Sequence, residues 1–155
     1  MTDHTTQGTE QVAIVGAGLA GCLLATLLAR RGVAVTLYER RPDPRVATPE
    51  RGRSINLAIS ARGLDALERV GLDQELLGRA LPMHGRMVHT LTGEQSFRPY
   101  SADGMRAINS ICRSELNLAL LEVAEQTPGV AVEFDHRLQD LDLAGGTMTF
   151  DTDRG

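Results

Sequence analysis

The stretch QVAIVGAGLAGCLLATLLARRGVAVTLYE, Gln11 to Glu39, decides how this chain reads. Its opening is an apolar, β-branched run that closes on Gly16, the pattern of a strand covered on both faces. Leucines and alanines then recur at helical spacing and stop at Gly32, a C-terminal cap. VAVTLYE, Val33 to Glu39, returns to the strand pattern. Strand, helix and strand within about 30 residues predict a βαβ unit with parallel strands and a right-handed crossover.

The junction between first strand and helix is GAGLAG, which sets Gly16, Gly18 and Gly21 in G-x-G-x-x-G spacing. Each glycine answers a separate need. Gly16 permits a tight turn, Gly18 lets a diphosphate approach the backbone, and Gly21 allows the helix to sit close on the strand. The free N–H groups and positive dipole end of the helix face the anion. Glu39 follows 18 residues after Gly21, at the end of the next strand, where a carboxylate accepts hydrogen bonds from a ribose diol. The competing reading is a glycine-rich turn that only packs an α/β protein, and the strand, helix and acidic residue together disfavour it. A carboxylate there also disfavours a ribose 2′-phosphate, an exclusion that Arg40 and Arg41 weaken. The motif therefore predicts a Rossmann-like α/β domain holding an adenine dinucleotide, NAD or FAD.

Beyond Glu39 the order of elements separates those two. Arg40 to Arg53 is a long loop rich in Arg, Pro and Asp. Within it and after it, RGRSINLAIS sets Arg51 and Arg53 either side of Gly52 and runs into an apolar segment, which raises the question of their anion. Ser60 caps a helix over ARGLDALERV that ends at Gly71, a shorter helix covers DQELLGRA, and Pro82 breaks it. GRMVHTL and QSFRPY flank TGE as an antiparallel hairpin, and RAINSI adds a strand. A helix from about Arg113 to Glu125 leads to VAVEF, a further parallel strand, and RLQDLDL with TMTFDT forms a second hairpin around GG. A plain dinucleotide dehydrogenase continues with more βα units; helices and a hairpin inserted before the third parallel strand fit a flavin monooxygenase architecture better.

Composition bounds the rest. With 155 residues one globular unit is expected, a disordered leader over 1–10 followed by a partial dinucleotide-binding domain over 11–155. A formal charge of -4 and only 3% aromatic residues argue against a nucleic-acid surface. All basic residues are arginines, permanent charges suited to two-pronged contacts with carboxylate or phosphate. MTDHTTQGTE lacks the blocks of a signal peptide and LAGCLLATLLA is too short to span a bilayer, so a cytoplasmic location without a membrane segment is expected. Cys22 and Cys112 are read as reduced structural thiols, and His4, His84, His89 and His136 have no metal-ligand spacing.

RGRSINLAIS, RGLDALERVGL, PMHGRMVHTLTGE, PY and INSICRSELNLALLEVAE, in this order, resemble the kynurenine 3-monooxygenase family of FAD-dependent aromatic hydroxylases, over about Val12 to Leu138. The resemblance implies that Gly16, Gly18, Ala20 and Gly21 surround the FAD diphosphate, that Glu39 holds its ribose, and that Arg40 and Arg41 lie at the adenosine edge. It puts Arg53, Ala58, Arg113 and Leu138 beside the flavin, with Arg51 a solvated neighbour. Arg86 and Tyr100 match positions that hold the amino-acid end of L-kynurenine; a guanidinium grips a carboxylate in two bonds and a phenol donates another.

The implied reaction is an NADPH-driven, dioxygen-consuming hydroxylation ortho to the aniline nitrogen, a step of tryptophan catabolism and pyridine nucleotide biosynthesis. The cofactor carries the hard chemistry, and no catalytic acid, base, nucleophile or metal is assigned to this chain. The chain stops before the family's second FAD-contacting Gly-Asp block, so it is expected to be an N-terminal fragment. Two alternatives stand beside this reading: a non-catalytic remnant that binds FAD or another dinucleotide, and a fragment of an NAD-dependent Rossmann oxidoreductase. Oligomeric state is not legible.

Overall fold

The structure, a computed structural model, describes residues 11–46, 56–103 and 106–152. The leader, Arg51, Arg53 and the second half of the arginine-rich loop lie outside the described residues. The chain divides into two compact units, Met1–Gly52 with Asn117–Gly155, and Arg53–Leu116.

The first unit is built on the βαβ element. β1 (Gln11–Val15), α1 (Leu19–Ala29) and β2 (Ala34–Tyr38) follow the predicted order, and β1 runs parallel to β2 with Gln11 opposite Ala34 and Val15 opposite Tyr38. β8 (Val130–Glu133) joins the other edge of β2, also parallel, in the order β1-β2-β8. α1 buries Cys22, Ala25, Thr26 and Ala29, one stripe at helical spacing. Small side chains there bring the helix axis close to the strands, whose Val35 and Leu37 are buried beneath it. Gly32 ends the helical segment in the left-handed region at φ 85°, its N–H donating to the Ala29 carbonyl.

β1 corrects one expectation. Its residues alternate between exposed and half-buried, and Val15 is 47% exposed, so the strand is not covered on both faces. An apolar run reports that a surface suits burial; it does not report which layers the same stretch of chain supplies. β2, flanked by two strands, buries alternate residues fully.

β9 (His136–Asp142) and β10 (Thr147–Thr152) form the second predicted hairpin, antiparallel, with an irregularity between Thr149 and Phe150. The helix before them, α4 (Arg113–Gln126), has the bounds its sequence predicts to within a residue. Its buried Leu120, Leu121 and Ala124 belong to this unit. Arg45 ties the segment after β2 to that helix, with Nη2 2.9 Å from Oε1 of Glu125 and 2.7 Å from Oδ2 of Asp43.

In the second unit β7 (Ile108–Cys112) is central to an antiparallel sheet in the order β3-β7-β4. β3 (Asn56–Ile59) leads into α2 (Ala61–Glu68), where the Ser60 hydroxyl accepts from Gly63 N at 3.3 Å and caps the helix as predicted. α3 (Asp73–Arg79) follows, and Leu67, Val70, Leu72 and Leu76 fill the core beneath the pair. Pro82 does not simply break that helix. It sits in β4 (Leu81–Met83), opposite Asn109 on the edge of the sheet, where the missing N–H of proline is tolerated. β5 (Gly85–His89) and β6 (Gln95–Pro99) form the first predicted hairpin, with Gly93 at φ 87° in its turn.

Candidate functional site

The glycine-rich turn has the geometry read from its spacing at Gly16 and Gly21. Gly16 has φ 105°, a left-handed conformation that disfavours any side chain. Gly21 has no room: a Cβ there would land on the Gly16 carbonyl oxygen and come within 3.4 Å of Leu37 Cδ1. Gly18 is different in kind. Its φ of -80° is open to any residue, and a Cβ would meet no atom within 4 Å. Among the described residues no contact requires a glycine there, and the backbone at this turn is open. Gly18 is also the N-cap of α1, with no side-chain cap and no acidic residue in the first turn. The first N–H groups of the helix therefore keep their capacity for an external acceptor. Ala20, in that turn, is exposed.

Glu39 is buried at 6% exposure and directly tied to this turn. Its Oε2 accepts from Ala17 N at 2.9 Å, and its Oε1 accepts from Arg41 N at 3.1 Å and Arg41 Nε at 2.8 Å. Its backbone is fixed too, since Glu39 N donates to Glu133 O at 2.8 Å and His136 N donates to Glu39 O at 2.9 Å. Burial pulls the carboxyl pKa up, but the hydrogen bonds from Arg41 and Ala17 outweigh it and hold the group below the ordinary glutamate value. A carboxylate that is ionised, immobile and still has an acceptor site on Oε2 suits a sugar hydroxyl.

The other side of the Ala17 peptide is held as well. Its carbonyl accepts from Asn117 Nδ2 on α4 at 3.2 Å and from Cys22 Sγ at 3.4 Å. Burial, and then the nearby Glu39 charge, push the Cys22 thiol up to about 11, in keeping with a structural role.

Arg41 thus reaches the site through Glu39, and both Arg40 and Arg41 are exposed. Leu138 is half-buried on β9 opposite Phe150. Beside them Tyr38 and Phe150 stack with centroids 4.4 Å apart, and His136 lies 5.6 Å from Tyr38. Sequence reading weighed His136 only as a metal ligand and missed this cluster, because the pairing across β9 and β10 creates it.

In the second unit Ala58 is exposed on β3 opposite Ser110, and Arg113 is exposed as the first residue of α4. Arg86 and Tyr100 do come together on one hairpin. Arg86 stands opposite Arg98 in register, and Tyr100 N donates to His84 O at 2.9 Å, which extends the ladder by one pair. Side chains alternate along each strand, so Arg86, Arg98 and Tyr100 share a face. Arg98 was missed: read alone in QSFRPY it is a strand surface charge, and only the register sets it opposite another guanidinium.

The chain matches the family of FAD binding domains over residues 9–151. It belongs to that family. Among curated relatives it is 51% identical over 145 residues to the kynurenine 3-monooxygenase of Stenotrophomonas maltophilia, covering 94% of this chain and 32% of that protein. It is 49% identical over 144 residues to the kynurenine 3-monooxygenase of Myxococcus xanthus, covering 93% of this chain and 31% of that protein. The chain thus spans about a third of the length of these relatives. Among solved structures, a variant of 2-methyl-3-hydroxypyridine-5-carboxylic acid oxygenase aligns with a TM-score of 0.70 at 20% identity, over 92% of this chain and 38% of that one. That likeness establishes the fold, a Rossmann-like FAD-binding domain with inserted helices and hairpin. Among the described residues no helix is long and apolar enough to cross a membrane.

Proposed function

We propose that this chain is the dinucleotide-binding part of an enzyme that hydroxylates L-kynurenine to 3-hydroxykynurenine, in the cytoplasm, with FAD bound and NADPH and dioxygen as co-substrates. The observation that carries the reading is the bond from Ala17 N to the Glu39 carboxylate beside an open Gly18 backbone. It joins the turn suited to a diphosphate and the carboxylate suited to a ribose into one rigid fitting. The relatives' printed name supplies the substrate.

Residues 11–155 would form part of a FAD-binding domain together with the start of the substrate hairpin. Bound FAD supplies the electron transfer and oxygen activation that side chains lack. The chain's own residues bind and orient. Gly18, Ala20 and Gly21 leave backbone N–H groups for the diphosphate, Gly16 shapes the turn around it with its own N–H given to Tyr38 O at 2.7 Å, Glu39 accepts from the ribose, and Arg40 and Arg41 stand at the adenosine edge. Arg53, Ala58, Arg113 and Leu138 would lie along the flavin. Arg86 would pair with the substrate carboxylate and Tyr100 would donate to it. No residue here is given a proton-transfer role.

The test is NADPH oxidation and oxygen uptake by the purified full-length protein. The reading expects flavin absorbance and turnover that rises on adding L-kynurenine. Flavin colour without turnover would leave a binding remnant, and a colourless protein that binds NADH would replace FAD by NAD.

A further inference from the structure

We infer that Asn117 is a positioning residue for the cofactor diphosphate, acting through the Ala17 peptide. The inference rests on the proposed dinucleotide site and adds a residue that neither the motif nor the resemblance assigns.

Gly16 and Gly18 give the turn its shape but also make it pliable, because a residue without Cβ has the largest conformational freedom to lose. Something must hold the peptides between them. The structure shows three side chains from three elements converging on Ala17. Glu39 at the end of β2 takes its N–H at 2.9 Å, while Asn117 on α4 and Cys22 on α1 donate to its carbonyl at 3.2 Å and 3.4 Å. A thiol is a weak donor, so the amide of Asn117 is the main restraint on that carbonyl. Only its NH2 end can face a carbonyl oxygen, which fixes the amide's orientation.

The bond spans 100 residues of sequence and is partly buried. Glu39 holds the Gly16–Ala17 peptide and Asn117 the Ala17–Gly18 peptide, whose other end is the Gly18 N–H, so Asn117 fixes where that donor and the first donors of α1 point. Preorganised donors bind more tightly because less freedom is lost on binding. Asn117 itself has no need to touch the ligand.

Two substitutions separate this role from space filling. Asn117→Leu keeps the branched heavy-atom outline and removes the donor; Asn117→Gln keeps the donor and adds a methylene. FAD and ADP titrations of the full-length apoprotein, with melting of the ligand-free forms in parallel, give the readout. We expect Asn117→Leu to weaken both ligands by the same factor, roughly three- to tenfold for one lost hydrogen bond, and Asn117→Gln to recover most of that. A space-filling role reverses the order, with leucine closer to wild type than glutamine, and that result overturns the inference. So does wild-type affinity in Asn117→Leu, or a loss for FAD that ADP does not share. Asn117→Ala repeats the donor loss should the leucine variant not fold. A wild-type protein that binds neither ligand removes the dinucleotide site itself, a failure distinct from these.

Discussion

At the scale of single residues, the three motif glycines separate by what each substitution would strike. At Gly18 a side chain meets nothing in the protein, so Gly18→Val should leave the melting temperature within a degree or two and abolish tight FAD binding. At Gly21 a side chain meets the Gly16 carbonyl and Leu37, so Gly21→Ala should cost about 1–3 kcal/mol of stability, measured by denaturant unfolding. Two glycines of one motif thus fail in opposite ways, one as binding and one as folding. Glu39 combines both. Its folded pKa is depressed, so its contribution to stability is complete above the ordinary value of 4.5 and is lost as pH falls through the lower native value. The melting temperatures of wild type and Glu39→Gln should therefore differ most above about pH 5 and converge in stronger acid. Parallel curves over the whole range would contradict the ion pairing. The turn at Gly16 and the close packing at Gly21 were legible in the sequence because the spacing encodes them directly. Asn117 was not: a polar residue in a helix 100 positions from Ala17 carries no local sign of its partner.

At the scale of elements, periodicity and capping found most of the architecture. The Ser60 cap, the Gly32 stop and both hairpins could be read because each rests on local chemistry within a few residues. β4 could not, since three residues with a central proline form a strand only by pairing with β7. The exposure of β1 was misread for a related reason, because coverage depends on layers outside the strand's own sequence. The β5–β6 hairpin shows what register adds. Arg86 and Arg98 are directly opposite, and like charges so placed repel in the free protein. An anion bound on that face relieves the repulsion. Under the proposed function, in which the substrate carboxylate is held on that face, Arg98→Ala should raise KM for L-kynurenine by roughly three- to tenfold with kcat little changed, a smaller effect than that of Arg86→Ala. An unchanged KM would mean that Arg98 serves only as a solvated surface charge.

At the scale of the whole molecule, the chain is a member of the FAD binding domain family that spans about a third of its kynurenine 3-monooxygenase relatives. The first unit presents the parallel sheet, the glycine turn and the buried carboxylate, and the second presents the hairpin with Arg86 and Tyr100. Thiol labelling of the native protein checks the first unit's core. Cys22 is fully buried with its thiol pushed up to about 11, so it should resist alkylation until unfolding, whereas the half-buried Cys112 reacts first. Rapid labelling of Cys22 would show α1 detached from the sheet. The central claim is that a dinucleotide diphosphate lies over Gly18 at the start of α1, and calorimetric titration of FAD into wild type and Gly18→Val tests it most directly. The account predicts saturable heat with wild type and none with an equally stable Gly18→Val; equal affinity in the two proteins, or no heat in either, would contradict it.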